Sequence, residues 1–135
     1  MKDNLTLHIG RAIEASRRAY APYSNYKVGA VLVSADGEQV FTGCNVENAS
    51  YPATICAERT ALVKAVSEGI REFRGIVVAT LNGGSPCGVC RQMLYEFSSE
   101  MQVICVNFDG DITIDTTLEK LLPHGFGSES LPDLK

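Results

Sequence analysis

Three cysteines and one glutamate stand where they could do chemistry together. They lie in two short stretches, Cys56-Ala57-Glu58-Arg59 and Pro86-Cys87-Gly88-Val89-Cys90, each read as a helix start. Cys87 and Cys90 are three residues apart, so one helix face presents both sulfurs. Cys56 and Cys87 each fall in a first helical turn. There, free N–H groups and the positive end of the helix dipole favour a thiolate and lower the thiol pKa. Three thiolates suit a tetrahedral zinc ion with its fourth position open, which separates a catalytic from a closed structural site. Glu58 lies about 200° round the helix from Cys56 at 100° per residue. In mid-helix the two could not serve one ion; at the first turn both can reach over the helix end. Glu58 then neighbours a zinc-activated water, where a proton shuttle belongs.

Each residue alone has a plainer reading. Free cysteine is among the most buried residue types, so Cys56 by itself would pass for a small core hydrophobe. A first-turn glutamate usually just complements the helix dipole. A C-x-x-C pair also occurs in redox proteins, where the partner elements are thioredoxin-like. A structural zinc module would need a fourth protein ligand. The joint pattern favours one catalytic zinc per subunit. Cys44 and Cys105 stand in strand-like contexts and read as core.

Composition bounds the function classes. The chain has 135 residues, 45% hydrophobic and 21% charged, as in a soluble protein with one domain spanning residues 1–135. A net charge of −4 disfavours nucleic acid, whose partners usually carry a basic surface. No run approaches the roughly 20 apolar residues that cross a bilayer. The N-terminus has no apolar signal core, and five cysteines are an odd number. The expectation is therefore a cytoplasmic protein that uses thiols for metal or catalysis rather than as a disulfide scaffold.

The elements that must position these residues follow from periodicity. Leu5, Ile9, Ala12, Ile13, Ser16 and Tyr20 recur at helical spacing and predict a first helix ending before Ala21-Pro22. Lys27 to Ser34 is apolar on both sides, as a central strand is. Asp36-Gly37 turns into a second strand, Gln39 to Cys44. Thr54 is placed to cap a helix running to about Glu68, with Gly69 as its stop. Gly75 to Leu81 predicts a strand, and Ser85-Pro86 an N-cap and first position of a third helix bearing Cys90, Leu94 and Phe97. Strands at Val103 to Val106 and Ile112 to Ile114 follow. Thr116-Thr117-Leu118-Glu119 fits a capping box for a last helix stopping at Pro123. A frayed tail is expected from Gly125. The order α-β-β-α-β-α-β-β-α predicts an α/β fold: a three-layer α-β-α arrangement around a mixed five-stranded sheet.

The two cysteine stretches, with Arg91-Gln92, resemble the small homotetrameric, zinc-dependent cytidine deaminases. The resemblance runs from Ala21-Pro22-Tyr23-Ser24 through Asn45-Val46-Glu47-Asn48-Ala49 to Leu121-Leu122-Pro123. It implies zinc ligation by Cys56, Cys87 and Cys90, with Glu58 as proton shuttle. It implies that Asn45 and Glu47 bind the ribose 3′-hydroxyl and that the Ala57 backbone meets the base. Tyr26 stands where the family usually has a phenylalanine near the pyrimidine, so its hydroxyl needs a polar partner or water. Phe126 matches an aromatic that reaches a neighbouring subunit's site, Tyr51 lies on a segment the family also uses across that interface, and Arg59 resembles an arginine that hydrogen-bonds the zinc thiolates. Without the resemblance, Asn45 reads as a turn residue and Glu47 as a solvated one. The implied reaction is hydrolysis of cytidine and 2′-deoxycytidine to the uridine products and ammonia, in pyrimidine salvage. The alternatives are a blasticidin-type deaminase and a non-catalytic structural zinc module. His8 and His124 receive no role.

Overall fold

The computed structural model describes residues 1–132. Its main elements are α1 (Leu5–Ser16), β1 (Gly29–Ser34), β2 (Val40–Cys44), α2 (Ala57–Ser67), β3 (Phe73–Ala79), α3 (Gly88–Tyr95), β4 (Gln102–Val106), β5 (Ile112–Thr117) and α4 (Leu118–Leu121). Short 3-10 turns occupy Lys2–Asn4, Tyr51–Ala53 and Ser128–Ser130. The five strands form one sheet in the order β2-β1-β3-β4-β5. Only β3 and β4 pair in parallel, joined through α3; the other neighbours are antiparallel. The sheet is thus mixed, as the sequence predicts.

Strand periodicity divides the core into two layers. Ala30 and Leu32 of β1, Ile76 and Val78 of β3, and Val103 and Cys105 of β4 face Ala61, Leu62 and Ala65 of α2, Leu94 of α3 and Leu118 of α4. The alternate residues Val31, Val33, Val77, Ala79, Ile104 and Val106 meet Ala12 of α1, with Leu5, Ile9 and Ile13 packed around it. β1 is buried along its whole length because helices cover both of its faces. The result is α1 on one side of the sheet and three helices on the other. No helix among the described residues is long and apolar enough to cross a membrane.

Two glycines set how closely the helices dock. A Cβ on Gly29 would lie 1.9 Å from the Ala12 carbonyl oxygen, and one on Gly43 would lie 2.4 Å from that of Ala57. Helix backbone therefore rests directly on strand backbone at both places. Gly43 matters more for the site, since α2 begins at the residue it supports.

Several boundaries differ from the sequence expectation. The first helix stops at Ser16 instead of continuing through Tyr20. Tyr20 instead bridges Val46, its N–H donating to the Asn45 carbonyl at 3.0 Å. Thr54 does not cap α2: the 3-10 turn Tyr51–Ala53, with Pro52 in its first positions, leaves Thr54 extended, and Cys56 becomes the N-cap. At α3 the cap is likewise Cys87 rather than Ser85, and Pro86 precedes the helix. Phe97 lies past the end of α3 and packs edge-on to Phe73, with ring centroids 6.3 Å apart. β3 runs two residues earlier than expected, leaving Leu81 exposed. The capping box at Thr116–Glu119 does not form. β5 extends through Thr117, α4 is a single turn, and the buried Thr117 hydroxyl has no partner. The segment after Gly125 is tied down rather than loose where it is described. Gln92 Nε2 donates to the Phe126 carbonyl at 2.8 Å, and Gly125 and Gly127 pack against the Tyr95 ring.

Candidate active site

The two unexpected caps place the thiols. Cys56 and Cys87 have extended backbones, and neither side chain bonds back to its own helix. Both sulfurs are therefore free to point beyond a helix N-terminus, toward one another. Cys90, within α3, is fully buried and completes the group. The Cys56 and Cys87 sulfurs are 3.8 Å apart, those of Cys87 and Cys90 3.4 Å, and all three lie within 4.8 Å of one another. A tetrahedral zinc with Zn–S bonds of about 2.3 Å requires sulfurs about 3.8 Å apart. The donor set fits that ion. Among the described residues the cluster contains three donors and no fourth, so one coordination position is open.

The electrostatics favour a cation. The Cys56 thiol is pulled down to about 5, chiefly by hydrogen bonding from Cys90 and then from Arg59 and Cys87. Cys90 is pushed up, first by that same bond to Cys56, then by burial and the charge of Glu58. Three sulfurs this close hold one negative charge comfortably, and a dication would let all of them ionise. Arg59 Nη2 donates to Cys56 Sγ at 3.4 Å and to the Thr54 carbonyl at 3.2 Å. Glu58 is 4% exposed, and burial, then the charge of Cys56, pushes its carboxyl up to about 7. Cys105, buried in β4, is raised to about 12 by burial and stays a core residue.

A cavity of about 290 Å³ opens over this group. Cys56, Ala57, Glu58, Val78 and Thr80 line its base. Ser24, Tyr26, Val28, Asn45 and Glu47 form one wall; Gly84, Ser85 and Cys87 form the other. A larger hollow of about 440 Å³ lies around Ser34–Gln39 and Gly69–Glu72, with no thiol in its lining.

Asn45 and Glu47 both grip the loop of residues 23–28. Asn45 Nδ2 donates to the Tyr26 carbonyl at 2.8 Å, and its Oδ1 accepts from the Val28 N–H at 2.9 Å. Glu47 accepts from the N–H groups of Tyr23 (2.9 Å) and Ser24 (3.1 Å) and from the Ser24 hydroxyl. The Ser24 hydroxyl bond, foremost, holds the Glu47 carboxyl below its ordinary range. Asn45 therefore braces a distant loop rather than a turn of its own, and both residues line the cavity. The Tyr26 hydroxyl finds the polar partner it needs in Asn82 Oδ1, at 2.5 Å.

Tyr51 and Phe126 do not reach their own chain's cavity. Tyr51 is 71% exposed and packs edge-on to Tyr23; Phe126 is 57% exposed. Sequence reasoning missed Ser24, Val28, Thr54, Val78, Thr80, Gly84 and Ser85 of the lining, and Asn82 beside it. Thr80 could have been found: it is the polar residue just past an apolar strand, at the carboxyl end where open α/β sheets bind ligands.

A family profile described as the cytidine and deoxycytidylate deaminase zinc-binding region matches residues 2–106. The chain belongs to this family. A cytidine deaminase of Sporosarcina psychrophila is 47% identical over 126 residues, covering 91% of each chain. A probable cytidine deaminase of Dictyostelium discoideum is 46% identical over 133 residues, covering 96% of this chain and 88% of its own length. Among solved structures, the cytidine deaminase of Burkholderia pseudomallei superposes with a TM-score of 0.85 at 47% identity, covering 90% of this chain and 98% of its own. That of Mycobacterium tuberculosis gives 0.78 at 37%, covering 90% and 96%. All three thiols fall inside the family's zinc-binding region, and they form the cluster able to hold that metal.

Proposed function

We propose that the cavity hydrolyses cytidine at C4: water adds to the ring carbon, the exocyclic amine leaves as ammonia, and uridine remains. The carrying observation is one juxtaposition. A buried carboxyl, Glu58, sits on the floor of a ligand-sized cavity beside three convergent thiols with one open metal position. Zinc held by Cys56, Cys87 and Cys90 would acidify water and so supply a nucleophile at neutral pH. Glu58 takes that water's proton, delivers it to the pyrimidine N3, and then assists protonation of the departing amine. Arg59 offsets part of the charge of three thiolates from the side away from substrate.

The remaining roles rest on the same cavity. Asn45 has one amide hydrogen left after its bond to Tyr26, and Glu47 Oε2, which accepts from the Ser24 hydroxyl, has an accepting site left, while Oε1 is filled by the Tyr23 and Ser24 N–H groups. Together they offer a donor and an acceptor to a ribose 3′-hydroxyl. The Tyr26 ring supplies an apolar face for the pyrimidine, and the Ala57 backbone a polar edge. These roles engage the 3′-hydroxyl and the base, which 2′-deoxycytidine shares, so it is a substrate too. The negative charge of Glu47 disfavours a phosphate on the sugar. Phe126 and Tyr51, exposed and apolar, complete neighbouring sites in a homotetramer. The whole chain acts as one domain in the cytoplasm, where five unpaired cysteines stay reduced.

The test is uridine and ammonia release from cytidine by zinc-loaded protein, with CMP and blasticidin S alongside. Turnover of cytidine but not CMP supports the nucleoside reading. Turnover of blasticidin S alone moves the substrate while keeping the chemistry. Zinc-loaded protein inert toward all three would make the site structural.

A further inference from the structure

We infer that the hydrogen bond between Tyr26 and Asn82 is a latch across the cavity. It fixes the separation of the two loops that wall the cavity and so sets how tightly the nucleoside is held. The inference rests on the substrate reading above for its kinetic consequence, but not for the latch itself. Each loop is anchored separately. The loop of residues 23–28 is bound to the end of β2 through Asn45 and Glu47. The segment 82–87, which leads directly into Cys87, is bound to the opposite side of the sheet. Asn82 bridges Asn107, and the Thr113 hydroxyl donates to the Gly83 carbonyl at 2.7 Å. Among the described residues, the Tyr26 hydroxyl on Asn82 Oδ1 is the side-chain hydrogen bond that crosses between these two loops.

Two further observations make the bond a spacer as well as a tether. The same Asn82 oxygen receives the Thr80 hydroxyl at 3.4 Å, and Thr80 Oγ1 in turn accepts the Gly84 N–H at 2.9 Å. The acceptor is thereby oriented from the cavity base. Opposite it, a Cβ on Gly84 would stand 3.3 Å from the Tyr26 hydroxyl oxygen. The hydroxyl thus leaves little room for a side chain on the facing wall, and both Tyr26 and Gly84 line the cavity. Tyr26 and Asn82 are positioning residues: the hydroxyl is committed to the opposite wall, while the ring is presented to the ligand.

The experiment compares wild type, Tyr26→Phe, Asn82→Ala, the double variant and Asn82→Asp, all zinc-loaded. Tyr26→Phe keeps the ring and removes only the bond. One net hydrogen bond corresponds to about a three- to tenfold change. KM for cytidine is expected to rise by that factor in either single variant, with kcat within about twofold and zinc content unchanged. The double variant should be no worse than the singles, because both break one bond. Asn82→Asp, which keeps an acceptor at an exposed position, should retain the wild-type KM. A second readout needs no substrate: hydrogen exchange at the Tyr26 and Gly84 amides should accelerate together in Tyr26→Phe. Additive effects of the singles, or exchange unchanged at either amide, overturn the latch. Coupled exchange in a protein that leaves cytidine untouched keeps the latch and removes the substrate reading instead.

Discussion

Glu58→Gln separates the charge of this residue from its shape, and two consequences can be worked from the structure. The carboxyl is 4% exposed, and its pKa stands at about 7 instead of the ordinary 4.5. At about 1.4 kcal/mol for each pH unit, the metal-free fold disfavours the ionised form by roughly 3 kcal/mol. A carboxyl raised in this way binds its proton more tightly folded than unfolded. Stability is therefore intact below pH 4.5, falls as pH rises toward 7, and bears the full cost above it. Glutamine carries no charge at any of these pH values. Metal-free Glu58→Gln should match the parent protein near pH 4 and exceed it by about 3 kcal/mol at pH 8. Urea titrations of both chelated proteins across that range measure the difference, which includes the part contributed by the Cys56 charge. A difference that does not grow with pH would refute the burial argument.

The catalytic consequence runs the other way. A positioned acid–base group contributes about 10²- to 10⁴-fold. Zinc-loaded Glu58→Gln should lose that much kcat on cytidine while keeping its metal, since the three sulfurs are untouched. A variant that is more stable without metal, binds zinc and does not turn over would identify a functional group held at the expense of the fold. Retained turnover with bound zinc would exclude Glu58 as the proton shuttle.

Three other outcomes follow from the site's construction. Gly43→Ala would drive a methyl group to within 2.4 Å of the Ala57 carbonyl. Displacing the start of α2 by even 1 Å should cost about 10²-fold in kcat/KM, with a lowered melting temperature; unchanged kinetics would show that the β2–α2 contact does not position the site. Cys90→Ala should abolish zinc binding by metal analysis, whereas Cys105→Ala should keep the metal and lose only stability. Equal zinc loss from both would contradict the assignment of Cys105 to the core. Phe126→Ala should be impaired, and refolding it together with Glu58→Gln should restore activity, because hybrid assemblies supply an intact Phe126 to an intact Glu58. No restoration in verified hybrids would remove Phe126 from the neighbouring site.

Sheet, strand count and layering are legible in the sequence because they follow from the longest-range regularity in it. Runs such as Val31–Val33 and Ile76–Ala79 are apolar on both faces, which only a strand covered from both sides requires. The helix starts were misread, and for one reason. Thr54 and Ser85-Pro86 carry the local chemistry of caps, whereas the caps are cysteines, which ordinarily make poor ones. Cys56 and Cys87 leave the first N–H groups of their helices without a side-chain acceptor. That local loss is tolerable where three sulfurs and a cation meet at the same helix ends. The failed capping rule is therefore itself a sign of function, since local rules are broken where a site overrides them.

What the sequence could not show is that residues of the binding wall are also structural. Asn45 lies 19 and 17 positions from its partners and Glu47 lies 24 and 23 from its own, and apart from the Ser24 hydroxyl they engage the 23–28 loop through backbone groups that carry no residue-type signal. Tyr26 and Asn82 are 56 positions apart, and nothing in either residue's own neighbourhood announces the other. Motif spacing reveals groups that converge on one atom, such as a metal, because the ion demands particular side chains. It is silent about groups that hold backbone, because any backbone will serve. The metal half of this site was accordingly readable from four residues, while the wall opposite needed the fold.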